Sequence, residues 1–92
     1  MSFNFESGAV TVTTTAALAL TIQPGQWVLL QNTGSSAILL GNSTVTTSGA
    51  TIGYSLAAGT SVTLPAVGGE SQNLFAIVAT GTGTLVFLTP AN

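Results

Sequence analysis

The chain is 92 residues long and 46% apolar, yet only 2% of it is charged, against about 25% in ordinary domains. It contains no Lys, Arg, His or Cys, and its only side-chain charges are Glu6 and Glu70, for a formal net charge of −2. Those absences remove imidazole acid–base catalysis, activated Ser or Cys nucleophiles, transition-metal sites, the cationic contacts that hold nucleic acid, and electrostatic docking on anionic membranes.

Taken in chain order, the sequence reads as strands and turns, with no stretch of helical period. Phe3 and Phe5 alternate with Ser2 and Asn4 before Glu6-Ser7-Gly8 interrupts the pattern. Residues 1–7 are therefore expected to be an N-terminal arm or edge strand, and residues 8–92 a single domain. Val10 and Val12 alternate with Thr11 and Thr13, and Leu18, Leu20 and Ile22 alternate with Ala19 and Thr21. Pro24-Gly25 is a turn dipeptide, Pro fixing φ and Gly supplying φ > 0. Trp27-Val28-Leu29-Leu30 is a continuous apolar run, expected of a strand covered on both faces. A hairpin loop over 32–36 leads to a strand over 37–40, and Gly41-Asn42 turns into a further short strand, Ser43 to Thr46. A loose Gly/Ser/Thr loop follows over 47–53, then a short strand Tyr54 to Leu56, a turn at Ala58-Gly59, and an alternating strand Thr60 to Leu64. After the long break over 65–73, the last pair is Leu74 to Ala79 and Thr84 to Leu88, with Pro90 expected to end the pairing.

Eight or nine short strands in one small domain predict an all-β antiparallel sandwich of jelly-roll or Greek-key type. The expected interior is Val10, Val12, Leu18, Leu20, Ile22, Trp27, Leu29, Ile38, Leu40, Val62, Leu64, Phe75, Ile77, Leu85 and Phe87. Ser7 to Gly69 carries no charge, but Thr, Ser, Gly and Asn interrupt it too often for the run of about 20 apolar residues that crosses a bilayer. The N-terminal Met-Ser-Phe-Asn-Phe-Glu lacks the basic and apolar regions of a signal peptide. Synthesis in a cytosol is the expectation, with no nucleic-acid or membrane partner.

No residue pattern calls for a metal or a cofactor. A Ser nucleophile has no His or Lys to activate it, and the two carboxylates stand far apart in the chain. Asn42-Ser43-Thr44 matches the N-glycosylation pattern, and Gly81-Thr82-Gly83 reads as a hairpin turn rather than a nucleotide fingerprint. The protein is expected not to be an enzyme. A nearly uncharged surface offers little colloidal repulsion, which suits a chain that works inside an assembly. Phe3 and Phe5 on an arm could dock on a neighbouring protein. Tyr54, flanked by Gly, is the aromatic best placed to be exposed and to stack on a sugar.

From Trp27 onward the order of motifs carries a resemblance. A strand ending in Gln-Asn-Thr-Gly precedes an apolar strand ending in Leu-Gly. A Thr/Ser-rich loop, Leu-Ala-Ala-Gly-Thr-Ser-Val-Thr-Leu-Pro, Leu-Phe-Ala-Ile and Thr-Gly-Thr-Gly-Thr-Leu-Val-Phe-Leu follow. Over about two-thirds of its length the chain resembles the small all-β virion proteins of tailed bacteriophages, above all capsid decoration (cement) proteins. The resemblance implies a homotrimer on the outside of a finished head that clamps the major capsid protein of the same virion. Phe3, Phe5, Glu6, Tyr54 and Glu70 are the candidate capsid or subunit contacts. The chain departs from such proteins in having no basic residue, so hydrogen bonds and apolar burial would carry attachment. A tail or fibre module binding a host-surface glycan, and a self-assembling β-rich coat, are the other readings.

Overall fold

The β-branched runs and turn glycines resolve into eight strands: β1 (Asn4–Val12), β2 (Ala17–Ile22), β3 (Val28–Asn32), β4 (Ile38–Gly41), β5 (Tyr54–Leu56), β6 (Ser61–Leu64), β7 (Gln72–Val78) and β8 (Gly83–Ala91). They come from a computed structural model that describes residues 4–65 and 69–91, and these residues contain no helix. Two four-stranded sheets form, sheet A in the order β1-β8-β3-β6 and sheet B in the order β2-β7-β4-β5, with every neighbouring pair antiparallel. Val12, Val28, Leu30 and Leu85 from sheet A meet Ile38, Leu40, Leu56, Ala76 and Val78 from sheet B in one core. The chain is thus an all-β protein whose two sheets share an apolar filling.

The turns follow from their residues. Gly25 has φ 75°, and Gln26 N–H donates to the Gln23 carbonyl at 3.2 Å, closing the turn that Pro24-Gly25 requires. Gly59, at φ 77°, closes the β5–β6 turn, with Thr60 N–H donating to the Ala57 carbonyl at 3.1 Å.

Several expectations need correction. Ser43 to Thr46 is not a strand. The Asn42 side-chain oxygen accepts from the Thr44 amide at 2.9 Å and the Thr44 hydroxyl at 2.7 Å, so local bonds curl the backbone away from a ladder. Only an isolated bridge, Thr46 to Ile52, remains there. Pro90 does not end β8, which continues to Ala91 with Pro90 opposite Phe5. The β3 ladder reaches β8 only as far as Leu88, so Pro90 has one neighbouring strand and half of the usual ladder demand is absent. Glu6-Ser7-Gly8 does not break β1 either; it pairs with β8 in unbroken register from Asn4 to Val12.

The interior also differs by one residue in two strands. In β3, Val28 and Leu30 are fully buried, whereas Trp27 and Leu29 are half-buried. In β7, Leu74, Ala76 and Val78 join the main core, while Phe75 and Ile77 join a second cluster with Leu39, Val45 and Ala16. A continuous apolar run fits either register, because a one-residue shift exchanges the faces. In β2, a register shift between Leu18 and Leu20 sends Leu18 to the side of Phe75, 51% exposed, while Ala19, Leu20 and Ile22 pack on the core. A β-bulge is the cause. Val12, Ile38, Leu40 and Leu85 are buried as expected, and Val62, Leu64 and Phe87 pack against the core from its margin. Val10 is half-buried.

Candidate contact surface

Asn32 fixes how the sheets meet. It is 0% exposed, and its side-chain amide donates to the Ser36 carbonyl at 2.8 Å and to the Leu56 carbonyl at 2.9 Å. Its side-chain oxygen accepts from the Gly34 amide at 3.0 Å. Its backbone N–H donates to Thr60 at 2.9 Å and its carbonyl accepts from Gly59 at 2.8 Å. One polar side chain therefore ties β3 in sheet A to β5 in sheet B, fully satisfied and out of water. Asn32 is the last residue of β3 and not the first of the expected hairpin loop over 32–36. The signal available was an Asn two residues after Leu30, in phase with the buried Val28 and Leu30.

The other end of the molecule is open. A cleft of about 330 Å³ separates the strand ends there, lined by Ile22, Gly41, Leu64, Pro65, Gln72 and Leu74 among others. The β2–β3 and β4–β5 connections lie at this end, as do the last residues of β6, the first of β7 and β1, and the last of β8. A second cleft of about 260 Å³ lies under the β4–β5 connection, lined in part by Asn42, Thr44, Thr51 and Ile52. Its polar groups largely bond to one another: Asn42 holds Thr44, and the Thr46 and Thr51 hydroxyls are 2.9 Å apart. Neither cleft brings a carboxylate to its lining.

The expected contact residues fall as follows. Phe3 lies outside the described residues. Phe5 is 67% exposed on β1, and its ring meets Trp27 at 6.0 Å between centroids, tilted by 48°, a favourable aromatic geometry. Glu6 is exposed, opposite Thr89. Glu70 is exposed just before β7 begins. The register thus brings Phe5, Glu6, Trp27 and Glu70 to the open end. Tyr54 does not join them. It is 63% exposed but sits opposite Leu40, midway along sheet B on the edge strand β5, away from the β1 edge of sheet A. Among the described residues, no three acidic or metal-ligating side chains cluster.

The register also defines the outer face of sheet A. Leu30, Asn32 and Leu85 face the core, so their alternates face outward: Phe5, Leu29, Val86, Leu88 and Pro90, with Ser7, Ala9, Thr11, Gln31, Ser61 and Thr63 around them. Trp27 adds to this face beside Phe5. No charge lies on it. The chain matches no protein-family model, no curated protein and no solved structure.

Proposed function

We propose that the protein is a virion structural protein, a capsid decoration protein of a tailed bacteriophage that binds the outside of the head and stabilises it without catalysis. The observation that carries this reading is the outer face of sheet A, a contiguous apolar surface with hydroxyl and amide groups at its border and no charge. Such faces mark contacts with other proteins. The motif order from Trp27 onward supports the phage assignment. The strand orders β1-β8-β3-β6 and β2-β7-β4-β5 support a jelly roll, since each sheet alternates strands from two interleaved Greek keys, an architecture that serves viral capsids and lectins. Phe5 and Trp27 would anchor the contact, and the connections at the open end would follow the shell. A standard interface of about 1,600 Å² gives stable attachment, and repetition across the shell adds avidity. A trimer is what the resemblance implies.

The test is reconstitution. Heads stripped of the protein should rupture at a lower temperature, and the purified chain should rebind and restore the original value. Failure to rebind would overturn the proposal. The exposure of Tyr54 favours the second reading, a tail or fibre module on a host glycan. That reading requires few copies per particle and loss of cell adsorption in Tyr54→Ala.

A further inference from the structure

The four sheet edges are unequal. In sheet B, β5 is three residues long, and β2 carries the register shift at Leu18/Leu20. In sheet A, β6 has four residues and runs directly into Pro65. Short length, bulges, Pro and charged side chains are devices by which natural sheets prevent edge-to-edge pairing. The fourth edge, β1, has none of the first three. It is nine residues long, pairs with β8 without a register shift, and contains no Pro and no Lys. Its single charge, Glu6, stands near one end and leaves Ser7 to Val12 uncharged.

We infer that β1 is an interface strand that pairs antiparallel with β1 of a second copy of this chain, joining two A sheets into one. An antiparallel ladder forms about one hydrogen bond per residue pair, so nine residues supply about nine, close to the roughly ten of an ordinary protein interface. The other three edges fall well short of that number. Charge agrees with a copy as the occupant. Pairing centred on Gly8 uses all nine residues of each strand, sets Glu6 opposite Val10, and keeps the two carboxylates four residues apart. At strand rise that is about 13 Å, beyond the roughly 8 Å screening length at physiological salt. Gly8 stands at the middle of β1 and presents no side chain to the seam. A two-fold pairing also closes on itself and consumes both edges. This inference concerns the free protein and does not rest on the capsid reading.

The experiment measures the mass of the full chain by sedimentation equilibrium. Ser7 and Ala9 are exposed, lie on the outer face, and face one another across the proposed seam. The wild type should be a dimer. S7K/A9K sets ammonium groups opposite ammonium groups and should weaken the dimer about tenfold or more. S7E/A9E should do the same, and mixing the two variants should restore a mixed dimer, which also shows that each is folded. The β6 pair S61K/T63K, equally exposed, should leave the dimer unchanged. The inference is overturned by a wild type that stays monomeric at submillimolar concentration or forms the trimer that the resemblance implies, by open-ended fibres, by a dimer that survives S7K/A9K, or by a dimer lost in S61K/T63K.

Discussion

The outer faces of the two sheets carry similar apolar residues but meet opposite fates. On sheet B, Leu39, Ile77 and Phe75 point away from the main core, and the chain covers them itself. The β4–β5 connection lays Val45 over them, leaving Val45 4% exposed. Two glycines make this possible, since a β-carbon at Gly41 or Gly53 would stand 2.9 or 2.5 Å from the Val45 methyl. On sheet A, Leu29, Leu88, Val86 and Phe5 point outward and join neither buried cluster of the described residues, the first three half-buried and Phe5 exposed. Similar composition therefore yields a private second core on one side and a public surface on the other. Loop economy decides which is which: the β4–β5 pair is given a long connection over 42–53, whereas every other described connection is shorter.

The contrast between the faces holds only while their inner sides stay joined, so the largest effect is expected at Asn32. Asn32→Leu leaves the Gly34 amide and the Ser36 and Leu56 carbonyls without partners, each costing about 1–3 kcal/mol. Urea denaturation should show a loss of about 3–5 kcal/mol, a large part of the 5–15 kcal/mol available to a small domain. The next test sets equivalent leucines against each other. Leu39→Ala should cost about 2–4 kcal/mol, because Leu39 is buried under the connection, whereas Leu29→Ala on the bare face should cost about 1 kcal/mol or less. Equal losses would break the comparison. Val45→Ala should cost about 1–2 kcal/mol and raise binding of a hydrophobic dye, as the second core opens. Phe5→Ala should alter stability by less than about 1 kcal/mol while, under the proposed capsid function, weakening attachment to stripped heads. The smallest effect concerns salt: with no cation anywhere in the chain, a high-salt wash should not release the protein from its partner.

Much of the fold could be read directly from residue order. The alternation in Val10–Thr13 and Thr60–Leu64, the turn at Pro24-Gly25 and the punctuating glycines all located strands or turns close to where they occur. Face assignments were harder. Trp27-Val28-Leu29-Leu30 and Leu74-Phe75-Ala76-Ile77-Val78 are apolar at every position, so periodicity contains no phase, and the expected interior of Trp27, Leu29, Phe75 and Ile77 takes the other register. The structure selects the smaller ones, Val28, Ala76 and Val78, because Asn32 sets the phase of β3 through hydrogen bonds, and Val45 gives Phe75 and Ile77 a second place to pack. The bulge at Ala19 was invisible for a similar reason, as Leu18, Leu20 and Ile22 form a perfect alternation. Of the candidate contacts, Phe5 and Glu6 were grouped by proximity in sequence. Their meeting with Trp27 and the Glu70 end depends on pairings across distant strands, which local patterns do not encode.

Asn32 and the open cleft sit at opposite ends of the same strands, which gives the molecule a graded compliance. Near Asn32 the two sheets are riveted by hydrogen bonds that must break together. Toward Ile22, Leu64 and Leu74 the described residues meet through apolar side chains at the margin of the cleft. Opening of the sheets is therefore expected to begin at the cleft and to reach Asn32 last. Amide exchange should follow the same gradient, slowest around Leu30 and Ile38 and fastest at the strand ends around the cleft. A ligand bound at that end is expected to slow exchange around the cleft and leave the rate around Asn32 unchanged.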